Sequence, residues 1–198
     1  MIMPAGRWSL LVGLIGALAP LAGACSTQPT ALSGGSSPVA DLRELVDLAV
    51  QRIQLSDQVA AAKFGTPQPI NDPAREQQLL DTVAKTAPDL GVDPGEAGRF
   101  VRDQIEASKI VQRGLSAAWM THPQQRPRTR PNLTTQLRPQ LNRITTNLLA
   151  ALQASRAARH ARSCPAELST VSHGAAGQLD VLHRDALAVA LRSVCTPS

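Results

Sequence analysis

The stretch DLRELVDLAVQRIQLSDQVAAAKF, residues 41–64, decides the fold. Its apolar residues Leu42, Leu45, Val46, Ala49, Ile53 and Ala60 recur three or four apart, which lines one side of an α-helix. The spacing predicts a long amphipathic helix from Asp41 to about Phe64. Gly65-Thr66-Pro67-Gln68-Pro69 ends it, since glycine and proline favour turn backbone over helix. Within that helix Arg52 and Lys63 are eleven residues apart. Three helical turns separate them, so they share one face to within about 20°.

Moving outward, the same signals recur. Asp72 before Pro73 reads as an N-cap followed by proline at the first helical position, predicting a helix from Pro73 to about Thr86. Gly91 and Pro94 mark a break, and Asp93 with Glu96 makes a capping-box pattern that opens a third helix. That helix carries Phe100, Ile105, Ile110, Leu115 and Trp119, the last a core residue. His122 to Pro131 holds three prolines and three arginines, at 126, 128 and 130, and reads as a solvated loop. A fourth helix is expected from Leu133 to about Ala158, with Leu137, Leu141, Ile144, Leu148, Leu149 and Leu152 on its apolar face. A last one is expected around Gln178 to Val194, with Leu179, Leu182, Leu187 and Leu191. No strand pattern or internal repeat is present, so the expected architecture is an all-α helical bundle.

The N-terminus has the parts of an export signal over residues 1–24. Arg7 supplies the charge, an apolar stretch runs from Trp8 to Leu21, and Ala22-Gly23-Ala24 offers a small-residue cleavage site. The stretch is shorter than the roughly 20 apolar residues that span a bilayer. Cys25 follows the cut, and Leu21-Ala22-Gly23-Ala24-Cys25-Ser26 resembles a bacterial lipobox, with Ala22 where a larger aliphatic is usual. Cys25 is therefore a lipidation candidate, and a membrane tether through it and a freely diffusing form are both left open. The chain has three cysteines, an odd number for an exported protein. If Cys25 is acylated, Cys164 and Cys195 remain as a pair where disulfides persist. Residues 25–40, rich in Ser, Gly, Thr and Pro, read as a flexible tether. The periplasm, the cell envelope or the exterior is the expected location.

A net charge of +5 raises the question of nucleic acid, but two Trp, two Phe and no Tyr leave no platform for stacking bases. Nucleic acid is therefore not expected as a partner. HExxH and CxxC spacings, a glycine-rich phosphate loop and a GxSxG elbow are all missing from the sequence. The expectation is chemistry without metal or cofactor. A small anionic substrate is the better use for arginines on apolar faces.

The polar residues that interrupt those faces form an ordered set. Arg52 and Lys63 lie on the first helix, and Asp72, Arg75 and Glu76 open the second. Ser108 and Gln112 are i,i+4 neighbours on the third, and Arg138 sits near the start of the fourth. Together with the run Pro69-Ile70-Asn71-Asp72-Pro73-Ala74-Arg75-Glu76 and with Glu106-Ala107-Ser108-Lys109-Ile110-Val111-Gln112, this order resembles the all-helical chorismate mutases. The exported (gamma) subclass adds a C-terminal extension with a disulfide, as Cys164 and Cys195 would make. The resemblance implies a family core over 41–120 and an extension of the same domain over 121–198. It also implies a homodimer and chorismate as substrate, rearranged to prephenate.

By that resemblance, Arg52 and Arg138 would clamp carboxylates with Arg75 assisting, and Arg143 is the alternative to Arg138. Lys63 and Gln112 would donate to the breaking ether oxygen from opposite sides. Glu76 would accept from the ring hydroxyl, Ser108 would bond a carboxylate, and Asp72 would cap its helix and shape the site. The competing reading is a non-catalytic exported helical lipoprotein that binds an anionic ligand or an envelope partner on its basic face.

Overall fold

Helix α1 (Pro38–Lys63) is the axis of the bundle. It is held against α3 (Pro94–Thr121), α4 (Arg138–Ala154), α6 (Cys164–Ala176) and α7 (Val181–Ala190). The computed structural model describes residues 38–195; the export segment, Cys25 and nearly all of the tether lie outside them. Helix α1 begins within the stretch read as tether, three residues before the expected Asp41. Its apolar stripe forms the core: Leu42, Leu45, Val46, Ala49 and Ile53 pack with Phe100, Val101, Leu148, Leu152, Ala186 and Ala190. Each large aliphatic buried this way contributes about 1.5–3 kcal/mol. Among the described residues no strand occurs, and no helix is long and apolar enough to cross a membrane.

The punctuation works as the sequence implies. Gly65 takes φ +70° just beyond α1, a left-handed conformation that glycine enters without steric cost. Helix α2 (Pro73–Thr86) has the expected bounds. The Asp72 carboxylate accepts the Arg75 N–H at 3.1 Å, and Glu76 Oε1 accepts the Asp72 N–H at 3.2 Å, a reciprocal cap. At α3, Asp93 accepts the Glu96 N–H at 2.8 Å. The Glu96 carboxylate, expected to turn back onto the cap, instead meets Arg159 at 3.2 Å. Trp119 is buried and stands edge-on to Phe64, ring centroids 5.2 Å apart. Arg126 departs from a purely solvated loop, donating from Nε to the Trp119 carbonyl at 3.0 Å.

The C-terminal half differs from the expected single long helix. Leu133–Leu137 forms one π-type turn ahead of α4. Pro139 lacks an N–H and its ring crowds the carbonyl four residues back, which the wider turn relieves. Helix α4 stops at Ala154, where the Ser155 hydroxyl donates to the Ala151 carbonyl at 2.7 Å, a back-bond that bends helices. A short α5 (Arg156–His160) follows. Helix α6 was not foreseen: only Cys164 and Val171 of its residues are buried, so its apolar stripe is too sparse to read. The last helix is shorter than expected because Asp180 caps it, accepting the His183 N–H at 2.9 Å.

Three polar devices fasten this half. Cys164 and Cys195 are disulfide-bonded across a separation of 31 residues. Arg159, 1% exposed, donates to the carbonyls of Leu152 and Val194 and pairs with Glu96, joining α5, the C-terminal turn and α3. His183 reaches Asp180 through Nδ1 and Asp57 of α1 through Nε2, both at 2.8 Å. Burial pulls the His183 imidazole down, but its bonds to the two carboxylates outweigh that and hold its pKa above the ordinary value.

Two outcomes follow for stability. Reduction of Cys164–Cys195, or its replacement by alanines, is expected to cost on the order of 3 kcal/mol, read as a lower midpoint in urea. A group whose pKa is raised by folding stabilises fully below its unfolded value, near 6.5, and loses that contribution as pH rises through the folded value. The melting temperature should therefore fall from about pH 6.5 upward, and His183→Asn should flatten that decline.

Candidate active site

One cavity of about 270 Å³ opens between α1, α2, α3 and the start of α4. Helix α1 supplies Arg52 and Lys63, and the cap of α2 brings Asp72, Arg75 and Glu76. Helix α3 adds Ser108 and Gln112, and the first residue of α4 adds Arg138. All eight residues singled out in the sequence line this one space. Arg143 is exposed and is not part of the wall. Leu79, Ile105, Leu133 and Leu141 supply the apolar part of the lining.

The charges do not balance. Arg52, Lys63, Arg75, Lys109 and Arg138 face the cavity with only Asp72 and Glu76 as carboxylates. Arg52 is 5% exposed, and its Nε has no hydrogen-bond partner among the described residues. Burial alone lowers its pKa to about 10. A buried guanidinium without a carboxylate is costly; a bound anion would relieve that cost. Lys63 is half-buried and donates from Nζ to the Pro69 carbonyl at 2.9 Å. Burial lowers its pKa; Asp72 and Glu76 oppose this, while Arg138 and Lys109 add to it.

Sequence reasoning missed Lys109, Ser56, Asn142 and Thr145. Lys109 Nζ pairs with Glu76 Oε2 and with Glu106 Oε1, each at 2.7 Å. Burial pulls Lys109 down, but the hydrogen bonds it donates to Glu106 and Glu76 prevail and hold its pKa above the ordinary value. One Glu76 oxygen is thereby tied to Lys109 and the other to the Asp72 N–H, which fixes the carboxylate at the cavity wall. The i,i+3 spacing of Glu106 and Lys109 was a visible signal; the partner across to α2 was not. Ser56, fully buried, lies 2.8 Å from Ser108 Oγ, and Gln112 Nε2 donates to Ser108 Oγ at 3.0 Å. Asn142 and Thr145 reach the wall one and two turns into α4.

The arrangement can bind a small molecule carrying more than one negative charge and present fixed N–H donors to it. No nucleophile is paired with a base in the wall. Among the described residues no group of three or more His, Cys, Asp or Glu side chains gathers to hold a metal ion.

Residues 43–113 match the family model described as chorismate mutase type II. The chain is 33% identical over 181 residues to a secreted chorismate mutase of Mycolicibacterium smegmatis, covering 90% of this chain and 97% of that one. It is 29% identical to the secreted chorismate mutase of Mycobacterium tuberculosis over 188 residues, 94% of this chain and 88% of the relative. The crystal structure of chorismate mutase from Burkholderia thailandensis superposes with TM-score 0.74 at 41% identity, covering 78% of this chain and 99% of that one. That from Burkholderia phymatum gives 0.76 at 32%, with coverage of 81% and 99%. A relative matched along almost its entire length, and a fold shared at this identity, leave one conclusion: the chain belongs to the chorismate mutase family.

Proposed function

We propose that the cavity binds chorismate and accelerates its rearrangement to prephenate. The observation that carries this is Arg52, a buried cation in the cavity wall with no carboxylate partner among the described residues. Chorismate is a dicarboxylate, and its [3,3] shift is unimolecular. One C–O bond breaks as one C–C bond forms within the same molecule, with no proton gained or lost. The protein needs only to hold the reactive conformer and meet the charge that develops on the ether oxygen.

The roles are those the family resemblance implies, and the donor chemistry of each residue suits them. Arg52 and Arg138 hold the carboxylates as bidentate forks, with Arg75 beside them. Lys63 and Gln112 donate to the ether oxygen from α1 and α3. Glu76, braced by Lys109, accepts from the ring hydroxyl; Ser108 lines the wall beside Gln112; Asp72 keeps the α2 cap in place. Export is supported by the secreted relatives and by the N-terminal signal. A lipid tether through Cys25 is the finer reading of that signal. The homodimer implied by the resemblance is the expected assembly.

Spectrophotometric loss of chorismate with purified protein tests this reading directly. Arg52→Ala and Lys63→Ala should each lower kcat/KM on the order of 10²-fold or more, because each removes a preorganised electrostatic contact. Turnover that is absent, or unchanged by both, would overturn the proposal. Binding without turnover would favour a non-catalytic anion-binding lipoprotein.

The pH profile tests Gln112 in particular. An amide donates without first taking up a proton, so activity should stay flat from about pH 5 to 8. It should then fall at alkaline pH, below the ordinary lysine value of about 10.4, since burial lowers Lys63. Gln112→Glu should convert the plateau into a loss of activity with rising pH, because the carboxyl must be protonated to donate.

A further inference from the structure

We infer that Ser56 is a positioning residue that turns the Gln112 amide so that its N–H group faces the substrate. The inference rests on the chorismate mutase reading of the cavity, and it concerns a side chain that does not touch the cavity. Ser56 lies one helical turn beyond Arg52 on α1 and is fully buried. Its hydroxyl oxygen is 2.8 Å from Ser108 Oγ and 3.1 Å from the Arg52 carbonyl. Ser108 in turn receives the Gln112 amide at 3.0 Å, and Gln112 Oε1 is buried without a partner.

Each hydroxyl has one proton to give, and two arrangements place both protons within this chain. In the first, Ser56 donates to the Arg52 carbonyl, Ser108 donates to Ser56, and Gln112 Nε2 donates to Ser108. That arrangement spends an amide N–H on Ser108 and strands Oε1, which is unfavourable for a buried acceptor. In the second, Ser56 donates to Ser108 and Ser108 donates to Gln112 Oε1, with the amide turned over. The oxygen is then satisfied and Nε2 is released toward the cavity. Amide oxygen and nitrogen are nearly equal in shape, so the turn needs no repacking; the hydrogen-bond network decides it.

The second arrangement is the one the reaction needs, since the ether oxygen only accepts. Ser56 favours it by donating into Ser108 Oγ, which leaves the Ser108 proton free for Gln112 Oε1. Donation also polarises the Ser108 hydroxyl and strengthens its own bond to Oε1. Serine at 56 thus acts on catalysis through two side chains, from outside the substrate's reach.

The test is Ser56→Ala, which deletes one buried atom, assayed with wild type on chorismate. We expect kcat to fall about fivefold, equivalent to ~1 kcal/mol at 1.36 kcal/mol per decade, with KM within about twofold. In a Gln112→Ala background the same change should leave kcat within about 1.5-fold, because the group it acts through is gone. A melting curve checks that each variant is folded. Unaltered kcat in Ser56→Ala, a rise in KM alone, or an equal loss in both backgrounds would overturn the positioning role. Failure of wild type to turn over chorismate would overturn the functional reading and this inference with it.

Discussion

The guanidinium of Arg52 has to be kept away from bulk water without a carboxylate beside it, and the architecture answers to that requirement. A cation in this state survives only if the surrounding packing more than offsets its desolvation. Helix α1 therefore runs through the middle of the bundle, with Leu42, Leu45, Val46, Ala49 and Ile53 at 0–1% exposure on its apolar sides. The core holds the helix in place, and the helix holds the charge. A surface helix could present an arginine to solvent, but could not deny it other partners.

Around that fixed point the cavity is an electrostatic device already set before substrate arrives. Lys109, Glu76 and the Asp72 backbone form one connected network, so the carboxylate cannot swing across to neutralise Arg52 or Lys63. This matters for a reaction without covalent chemistry, where donors that need not reorganise are the main source of acceleration. The polar chain from Ser56 through Ser108 to Gln112 sits directly beside it, buried between α1 and α3. Low dielectric makes such networks strong when satisfied and costly when not.

The C-terminal half shows how much the sequence left unread. Two of its helices were expected, but not the π-type turn before Arg138, the break at Ser155, or α6. Pro139 and Ser155 were visible as residues; their effect depends on which carbonyls they meet. Helix α6 buries little, so its local pattern is weak, and it is held by the disulfide and by packing on α1. Arg159 carries no local signal in the sequence, yet it is among the most buried side chains. Two of its three partners are 35 and 63 residues away, beyond any local signal. Yet this half completes the site, because Arg138, Leu133 and Leu141 form one wall of the cavity.

By itself the sequence determined the helices of the first half, their caps, and the set Arg52, Lys63, Asp72, Arg75, Glu76, Ser108 and Gln112. Helical period and capping chemistry act over a few residues, so the chain carries them in its local order. Only the tertiary structure decided that these residues share one cavity with Arg138 rather than Arg143, that Arg52 lacks a carboxylate partner among the described residues, and that Lys109 braces Glu76 across 33 positions. Those are facts of distance and burial. They arise when helices far apart in sequence pack together, and no spacing along the chain encodes them.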